Sequence, residues 1–144
     1  MQIMRAGRAG RWRRALFALA LALAVVLAAL IALWRFAPPV STLMLARHVT
    51  MKRVERVYAP LERMSPALLE AVVVAEDARF CKHGGVDWSA VNAVIETADE
   101  DGPSRGASTI AMQTAKNLFL WPSRSYLRKA LEIPLALAID LAWP

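Results

Sequence analysis

The longest apolar run of the chain lies near its N-terminus. Residues from Ala15 to Leu33 carry no charge, and Trp34 follows directly. About 20 such residues are needed to cross a bilayer as a helix. A cleaved signal peptide is the alternative, but its apolar core usually has about 7–15 residues. We therefore predict a retained transmembrane helix over residues 15–34.

Charge on the two sides of this run predicts its orientation. Five arginines lie in the basic segment of residues 1–14, whereas Arg35 stands alone just after the run. Because cytoplasmic flanks carry the excess of basic residues, the N-terminus is predicted to be cytoplasmic and the chain after Phe36 extracytoplasmic. The net charge of +6 could suggest nucleic-acid binding. Arginines beside an apolar segment favour an anionic membrane surface instead, and no nucleic-acid partner is predicted.

Residues 35–57 form a predicted membrane-proximal linker. Pro38 and Pro39 break the first helix. From Val40 to Val57, apolar residues alternate with arginines, lysine and histidine. This pattern is consistent with an amphipathic segment on the outer leaflet, and equally with a surface helix or strand packed on the following domain.

The spacing of apolar residues after residue 58 predicts helices. In a helix starting at Pro66 with Ser65 as its cap, Glu76 falls inside an apolar stripe. A buried carboxylate there would be a better base near neutral pH, although a structural carboxylate held by an arginine or a backbone amide is the alternative. Cys81, expected within the same helix, would be a buried small side chain without a disulfide partner. The stripe comprises Leu69, Val72, Val73, Glu76 and Phe80.

Three further segments have helical patterns. Asp87 is predicted to cap a helix from Trp88 to Thr97, with Val91, Val94 and Ile95 facing inward. The acidic loop of residues 99–101 resembles a metal site only weakly, because carboxylates in a Gly-Pro loop are usually solvated. Residues 106–120 form a glycine turn that leads into a helix capped by Ser108 or Thr109, whose free N–H groups suit a phosphate. In the last helix, apolar residues surround Glu132 on almost every side, which predicts burial in a core.

Three stretches of this part resemble the motifs of the peptidoglycan glycosyltransferases, which occur as monofunctional enzymes and as a module of bifunctional penicillin-binding proteins. The first stretch, residues 76–87, matches Glu-Asp-x-x-Phe-x-x-His-x-Gly-x-Asp. The second, residues 106–117, resembles Gly-x-Ser-Thr-Ile-x-Gln-Gln followed by Lys-Asn. The third, residues 128–132, reads Arg-Lys-x-x-Glu. The resemblance runs from about Tyr58 to the end, so residues 58–144 are predicted to form a partial glycosyltransferase domain.

The resemblance implies a mostly α-helical, lysozyme-like domain that polymerises lipid II. An acceptor hydroxyl would attack the donor sugar, form a β-1,4 bond with inversion and expel undecaprenyl diphosphate. Glu76 would be the base, and Glu132 would help the diphosphate to leave. An intrahelical ion pair of Glu132 with Arg128 and Lys129 is the plain alternative for the third stretch. The implied substrate-binding residues are Ser108, Gln113, Lys116, Asn117, Arg124, Arg128 and Lys129, and the implied structural residues are Asp77, Phe80, His83, Gly85 and Asp87.

The same resemblance implies a place and partners for the protein. The domain would be periplasmic, on a single-pass protein of the bacterial inner membrane. Lipid II, the growing glycan strand, membrane lipids and other cell-wall synthesis proteins are the expected partners. The resemblance establishes no cofactor and no protein metal ligand, but it allows a divalent cation such as Mg²⁺ at the diphosphate.

The chain departs from the family pattern at three places. Met112 stands where the family has its first glutamine, a position that could complete a capping box, so Met112→Gln is expected to stabilise the helix by about 1 kcal/mol. Pro134 is expected to kink the helix of Glu132. The chain ends at Pro144, before the family's lysine-rich helix and Tyr-Leu-Asn motif. We therefore expect the C-terminal part of the domain to be lacking and no polymerase activity from residues 1–144.

Two other classes of protein fit parts of the pattern. A lysozyme-like lytic enzyme would use an acidic residue on a similar scaffold, but the cationic residues after Gly106 argue against it. A non-catalytic membrane protein that binds lipid II or a partner would fit the early end of the chain.

Overall fold

A computed structural model describes residues 3–97, 106–123 and 125–143. These residues form six α-helices and two short 3₁₀ helices. Within the same ranges no strand occurs, and extended pairing is limited to an isolated bridge between Gly84 and Val86. The prediction of a mostly α-helical protein is confirmed.

The first of two compact units comprises residues 1–37 and consists of α1, Ile3–Trp34. Its segment Gly10–Trp34 is long and apolar enough to cross a membrane. The predicted span over residues 15–34 lies inside this segment. Large apolar side chains such as Leu16 and Phe17 are exposed, as expected for a helix that has lipid as its solvent.

The second unit comprises residues 38–144 and contains the remaining helices. They are α2 Thr42–Val49, α3 Pro66–Glu76, α4 Trp88–Glu96, α5 Ile110–Phe119 and α6 Tyr126–Ala142, with 3₁₀ turns at Leu61–Arg63 and Phe80–Lys82. Helix α5 packs along α6, and α2 contacts α5. The buried side chains of this packing come mainly from one face of each helix: Ala111, Met112, Ala115 and Leu118 from α5, and Ala136 and Ile139 from α6.

Polar residues cap the helices of the second unit. The side chain of Asp87 accepts a hydrogen bond from Ala90 N, and Thr109 accepts one from Met112 N. These bonds satisfy backbone donors that have no partner inside the helix. The predicted cap at Asp87 is confirmed, and of the two candidates Ser108 and Thr109 the cap of α5 is Thr109. Ser65 precedes Pro66 as expected but makes no capping bond with its side chain.

The helix that begins at Pro66 is shorter than predicted. It ends at Glu76, and Asp77 leaves the helical conformation. Phe80 and Cys81 therefore lie in a separate 3₁₀ turn, and Cys81 is exposed rather than buried. The prediction of one apolar stripe reaching Phe80 is wrong, because the chain turns before the periodicity can continue.

Helix α2 occupies the first part of the linker, and the hydroxyl of Thr42 donates a hydrogen bond to the carbonyl of Leu120. This contact supports the alternative of a surface helix packed on the domain. On α4, Val91 and Val94 are half-buried, but Ile95 is exposed, contrary to expectation.

Helix α6 continues through Pro134 from Tyr126 to Ala142. Its buried residues are Glu132, Ala136 and Ile139, whereas Leu141 is 90 % exposed. Glu132 is buried as the apolar pattern predicts, while Leu131, Leu137 and Leu141 on the other side are exposed, because α5 covers only one side of the helix.

Candidate active site

The carboxylate of Glu76 meets α5 at the end of α3. The amide nitrogen of Gln113 donates a hydrogen bond of 2.8 Å to Glu76 Oε2. Gln113 lies one turn inside α5, so this bond joins the first and second sequence motifs. Glu76 is exposed, and the prediction that an apolar stripe would bury it is wrong. The reason is that α3 contributes no buried residue, so its apolar face does not remove water from Glu76.

The neighbouring residue Asp77 is the buried carboxylate of this region. Its Oδ1 accepts a hydrogen bond of 2.8 Å from His83 Nε2, and its Oδ2 accepts one of 3.1 Å from Ile110 N. Its own backbone N–H bonds to Val73 and closes α3. Asp77 thus joins the end of α3, the segment at His83 and the start of α5.

Gly85 lies against α6 and the start of α5, and Asp87 fixes the start of α4. The hydroxyl of Thr109 donates a bond of 2.5 Å to Gly85 O. Gly85 has φ +74°, and a Cβ there would lie 2.8 Å from Ala136 O. Asp87 accepts bonds from the Ser89 hydroxyl and Ala90 N and pairs with Arg79 at 3.2 Å. The pKa of Asp87 is lowered first by the hydrogen bond from Ser89, then by the bond from Ala90 N and by the nearby Arg79 and His83. Burial of Asp87 acts in the opposite direction but does not outweigh them.

A cationic cluster forms where the start of α6 meets Ser108, the residue before the cap of α5. Lys129 Nζ donates to Ser108 Oγ at 2.6 Å and to Glu132 Oε2 at 3.0 Å. Arg128 pairs with the other oxygen of Glu132, which is 2 % exposed. Burial, followed by the positive charges of Arg128 and Lys116, lowers the pKa of Lys129. Three cations thus lie near one carboxylate, which leaves excess positive charge for an anionic ligand.

Three cavities adjoin these groups, and two of them bear on the candidate chemistry. The first has a volume of about 650 Å³, and its wall contains both Lys116 and Arg128. The second, of about 160 Å³, lies beside Glu76 and Asp77. Gln113 and Lys116 are three residues apart on α5 and so share a face. Gln113, which bonds to the base candidate Glu76, therefore lies one turn of α5 away from Lys116 in the cavity wall. Residues lining the first cavity are Ser41, Thr42, Leu43, Lys116, Asn117, Leu120, Trp121, Pro122, Ser123 and Arg128.

Residues 43–144 match the family model described as transglycosylase. The chain belongs to the transglycosylase family. The match covers every residue of the three motifs, and the family inferred from those motifs is confirmed. By this family resemblance the chain is classed with the peptidoglycan glycosyltransferases.

Curated relatives support the same family. The chain is 56 % identical over 108 residues to a biosynthetic peptidoglycan transglycosylase of Agrobacterium fabrum, covering 75 % of this chain and 48 % of the relative. It is 50 % identical over 139 residues to one of Rhodopseudomonas palustris, covering 96 % of this chain and 59 % of the relative. A third, from Rhizobium meliloti, is 44 % identical over 147 residues, with 94 % and 62 % covered. The chain spans about half to three fifths of the length of these relatives.

The described residues do not fit a protein-held magnesium ion. In residues 3–97, 106–123 and 125–143, no group of three or more His, Cys, Asp or Glu side chains is placed to hold a metal. Both oxygens of Glu132, the carboxylate nearest the cationic cluster, are already engaged by Arg128 and Lys129. Because Mg²⁺ requires oxygen ligands, Glu132 in this arrangement is a partner for cations of the protein rather than a metal ligand.

The transglycosylase motifs account for most of the assembled side chains. Six of the predicted substrate-binding residues are placed by the structure. Lys116, Asn117 and Arg128 line the 650 Å³ cavity, Ser108 bonds to Lys129, and Gln113 bonds to Glu76. The seventh, Arg124, lies outside the described residues, as does the acidic loop of residues 99–101.

Sequence reasoning missed Arg79 and the apolar part of the cavity wall. Arg79 could have been noted as a basic residue inside the first motif, and it lines the cavity beside Glu76. Leu43 and Trp121 are far apart in sequence and meet only at the cavity. The sequence pattern indicates Trp121 only as part of a helix-breaking Trp-Pro pair, and nothing in it links Trp121 to Leu43.

Proposed function

We propose that the chain takes part in polymerising peptidoglycan glycan strands, with lipid II as the donor. The observation that carries this proposal is the contact between Glu76 and Gln113, one helical turn from a cavity lined by Lys116 and Arg128. Together these groups supply a proton acceptor at the end of α3 and a site for a leaving diphosphate between α5 and the start of α6.

On the acceptor side, Glu76 takes the proton of the attacking sugar hydroxyl. Gln113 donates to Oε2 and orients the carboxylate, so that Oε1 faces the acceptor. A positioned base of this kind contributes about 10²–10⁴-fold to a rate. Because Glu76 is exposed, bound substrate supplies the covering that excludes water from it.

On the donor side, the leaving diphosphate gains negative charge as the glycosidic bond breaks. Lys116 and Arg128 stabilise that charge, and Lys129 adds to the positive potential. Buried Glu132 acts through these residues: it holds Arg128 and Lys129 in place. Attack by the acceptor on the face opposite the diphosphate inverts the anomeric carbon and forms the β-1,4 bond.

The apolar helix α1 supports membrane anchoring. We place the protein in the bacterial inner membrane with its N-terminus in the cytoplasm and its second unit in the periplasm. The arginines of residues 1–14 support this orientation. Membrane lipids, the glycan strand and other cell-wall synthesis proteins are its proposed partners.

Glycan synthesis by a matched set of proteins tests the proposal. Residues 1–144 and a fusion that continues them with the C-terminal remainder of the Agrobacterium relative are assayed with lipid II. In the active form, Glu76→Gln is expected to lower the rate by about 10²–10⁴-fold while donor binding persists. Glu70→Gln, another exposed carboxylate of α3, is the control and should keep full activity.

Two results would contradict the assignment. Retention of more than a tenth of the rate by Glu76→Gln would exclude Glu76 as the base. Absence of glycan strands from both the chain and the fusion would exclude the polymerising activity.

A further inference from the structure

Lys129 lines neither of the two cavities that bear on the candidate chemistry. The 650 Å³ cavity is lined by Lys116 and Arg128 and the 160 Å³ cavity by Glu76 and Ser108, whereas Lys129 lines a separate cavity of about 310 Å³ at the start of α6. The Lys129 ammonium nevertheless contacts Ser108, because its Nζ donates to Ser108 Oγ at 2.6 Å. An effect of Lys129 on a ligand beside Glu76 is therefore transmitted through this hydroxyl.

The Lys129 ammonium is fixed by a buried partner. Its Nζ also donates to Glu132 Oε2 at 3.0 Å, and Glu132 is 2 % exposed and pairs through its other oxygen with Arg128. Removal of a cation from a buried carboxylate leaves an uncompensated charge, so the pair of Lys129 and Glu132 resists separation. The ammonium is thus held between Glu132 and Ser108.

The chemistry of lysine determines the direction of the bond to Ser108. A lysine ammonium has three donors and no acceptor, so Ser108 Oγ accepts and the hydroxyl keeps its own proton for a second bond. Within the part of the chain that the structure describes, no hydrogen bond has the Ser108 hydroxyl as its donor. Ser108 is half-buried and lines the cavity beside Glu76, so a ligand in that cavity can accept this proton. A hydroxyl that accepts from a cation is also the stronger donor, since successive hydrogen bonds polarise one another.

We propose that Lys129 is a positioning residue, which makes the Ser108 hydroxyl a directed donor for an oxygen of the acceptor sugar. This inference rests on the proposed function and deepens it, because it assigns Ser108 to recognition of the acceptor rather than of the diphosphate. The sugar that offers one hydroxyl to Glu76 carries further oxygens, and one of these accepts from Ser108. Lys129 acts on the sugar only through Ser108.

Binding of two small probes tests the proposal on the full chain. Residues 1–144 in nanodiscs of zwitterionic lipid are titrated with diacetylchitobiose, a neutral acetylated disaccharide, and with inorganic pyrophosphate. We expect Ser108→Ala to weaken disaccharide binding by about 3- to 10-fold, the range for one hydrogen bond, and to leave pyrophosphate binding unchanged. Ser108→Thr, which keeps the hydroxyl, should retain most of the affinity. The control is Ser65→Ala, because the Ser65 side chain makes no capping bond and lines none of these cavities.

Variants of Lys129 show whether it acts through Ser108. Lys129→Met should weaken disaccharide binding about as much as Ser108→Ala does, and the double variant should bind no more weakly than either single variant. Lys129→Arg, which keeps a donor cation, should retain most of the affinity. If Lys129→Met does not fold, Lys129→Gln takes its place, since it keeps a donor for Glu132 on a shorter side chain. An unchanged affinity in the Lys129 variant, or additive losses in the double variant, overturns the proposal.

The outcomes separate this inference from the proposed function. If the wild type binds the disaccharide and Ser108→Ala binds it equally well, or if Ser108→Ala loses pyrophosphate binding instead, the directed donor fails while Glu76 and the diphosphate cavity keep their roles. If the wild type binds no disaccharide, the acceptor site beside Glu76 fails and this inference fails with it. Synthesis of glycan strands by the fusion decides the proposed function independently of both results.

Discussion

The Oδ1 atom of Asp77 lies 2.8 Å from Nε2 of His83, and the two side chains are 4 % and 6 % exposed. The other oxygen of Asp77, Oδ2, accepts a hydrogen bond from the backbone N–H of Ile110, the first residue of α5. Glu76, one residue earlier, is exposed and meets Gln113. The two adjacent carboxylates therefore have different roles: Asp77 joins the helices by hydrogen bonds, and Glu76 remains exposed and accessible to a substrate.

Removal of the Asp77 carboxylate should destabilise the protein. Asp77→Ala leaves the buried His83 nitrogen and the Ile110 N–H without their acceptor, which costs at least about 1–3 kcal/mol. The measurement is the thermal unfolding midpoint in detergent, where about 1 kcal/mol corresponds to about 4–8 °C for a unit of this size. Glu76→Ala is the control and should change stability by less than about 0.5 kcal/mol. Similar losses in both variants would contradict the division of roles.

Met112→Gln should lower stability, contrary to the expectation from the capping-box pattern. Met112 is 0 % exposed, so a glutamine amide there would lose water and find an apolar environment, at a cost of about 1–3 kcal/mol. Met112→Leu, which keeps apolar volume, should cost less than about 1.5 kcal/mol. Chemical denaturation of the two variants measures the difference. A Met112→Gln protein as stable as the wild type would show that the glutamine reaches the helix N-terminus after all.

Gly85→Ala should disturb the packing of the first motif on α6. The left-handed backbone at φ +74° costs a non-glycine residue about 1–2 kcal/mol, and the new Cβ would also press against the Ala136 carbonyl. Gly106→Ala is a matched control, because nothing lies within 4 Å of a Cβ at Gly106. We expect a lower unfolding midpoint for Gly85→Ala and an almost unchanged unfolding midpoint for Gly106→Ala. Equal unfolding midpoints for the two variants would refute the close approach of Gly85 to the Ala136 carbonyl.

Asp87 should contribute to the acid sensitivity of the fold. Its pKa is below the ordinary value of 3.8 in the folded state, first because the Ser89 hydroxyl donates to it. The Asp87 carboxylate therefore binds a proton more readily in the unfolded chain than in the folded one. The stabilisation of the fold by ionised Asp87 is present above about pH 4 and is lost as the pH falls through the folded pKa. Asp87→Asn should be less stable than the wild type at neutral pH, with a difference that shrinks below about pH 4. A difference independent of pH would contradict this linkage.

Cys81 reports the orientation of the second unit. It is exposed and is the one cysteine of the chain, so a membrane-impermeant thiol reagent can label the folded protein. In cells with a permeabilised outer membrane, we expect labelling while the cytoplasmic membrane is intact. A Cys81→Ser variant controls for labelling of other proteins. Labelling that requires opening of the cytoplasmic membrane would place the unit in the cytoplasm.

The sequence alone determined the features that depend on neighbours along the chain. An uncharged run of sufficient length predicts the apolar helix α1, and polar residues before helical patterns predict the cap at Asp87 and limit the cap of α5 to Ser108 or Thr109. The three motifs identify the family and point to Gln113, Lys116 and Arg128 without any knowledge of their contacts. The apolar helix and the caps follow from chain composition and local hydrogen bonding, which a linear sequence displays directly, whereas the family follows from the resemblance of the motifs.

Only the tertiary structure decided which of these residues are buried. Periodicity showed that Glu76 shares a face with apolar residues, but α3 contributes nothing buried, so that face does not desolvate it. Met112 occupies a helix-start position by sequence, yet it is fully enclosed where α5 packs on α6. Leu43 and Trp121, 78 residues apart, line the same cavity only because α2 contacts α5. Burial depends on what lies opposite a helix face, and that is set by contacts between distant segments rather than by the pattern within one helix.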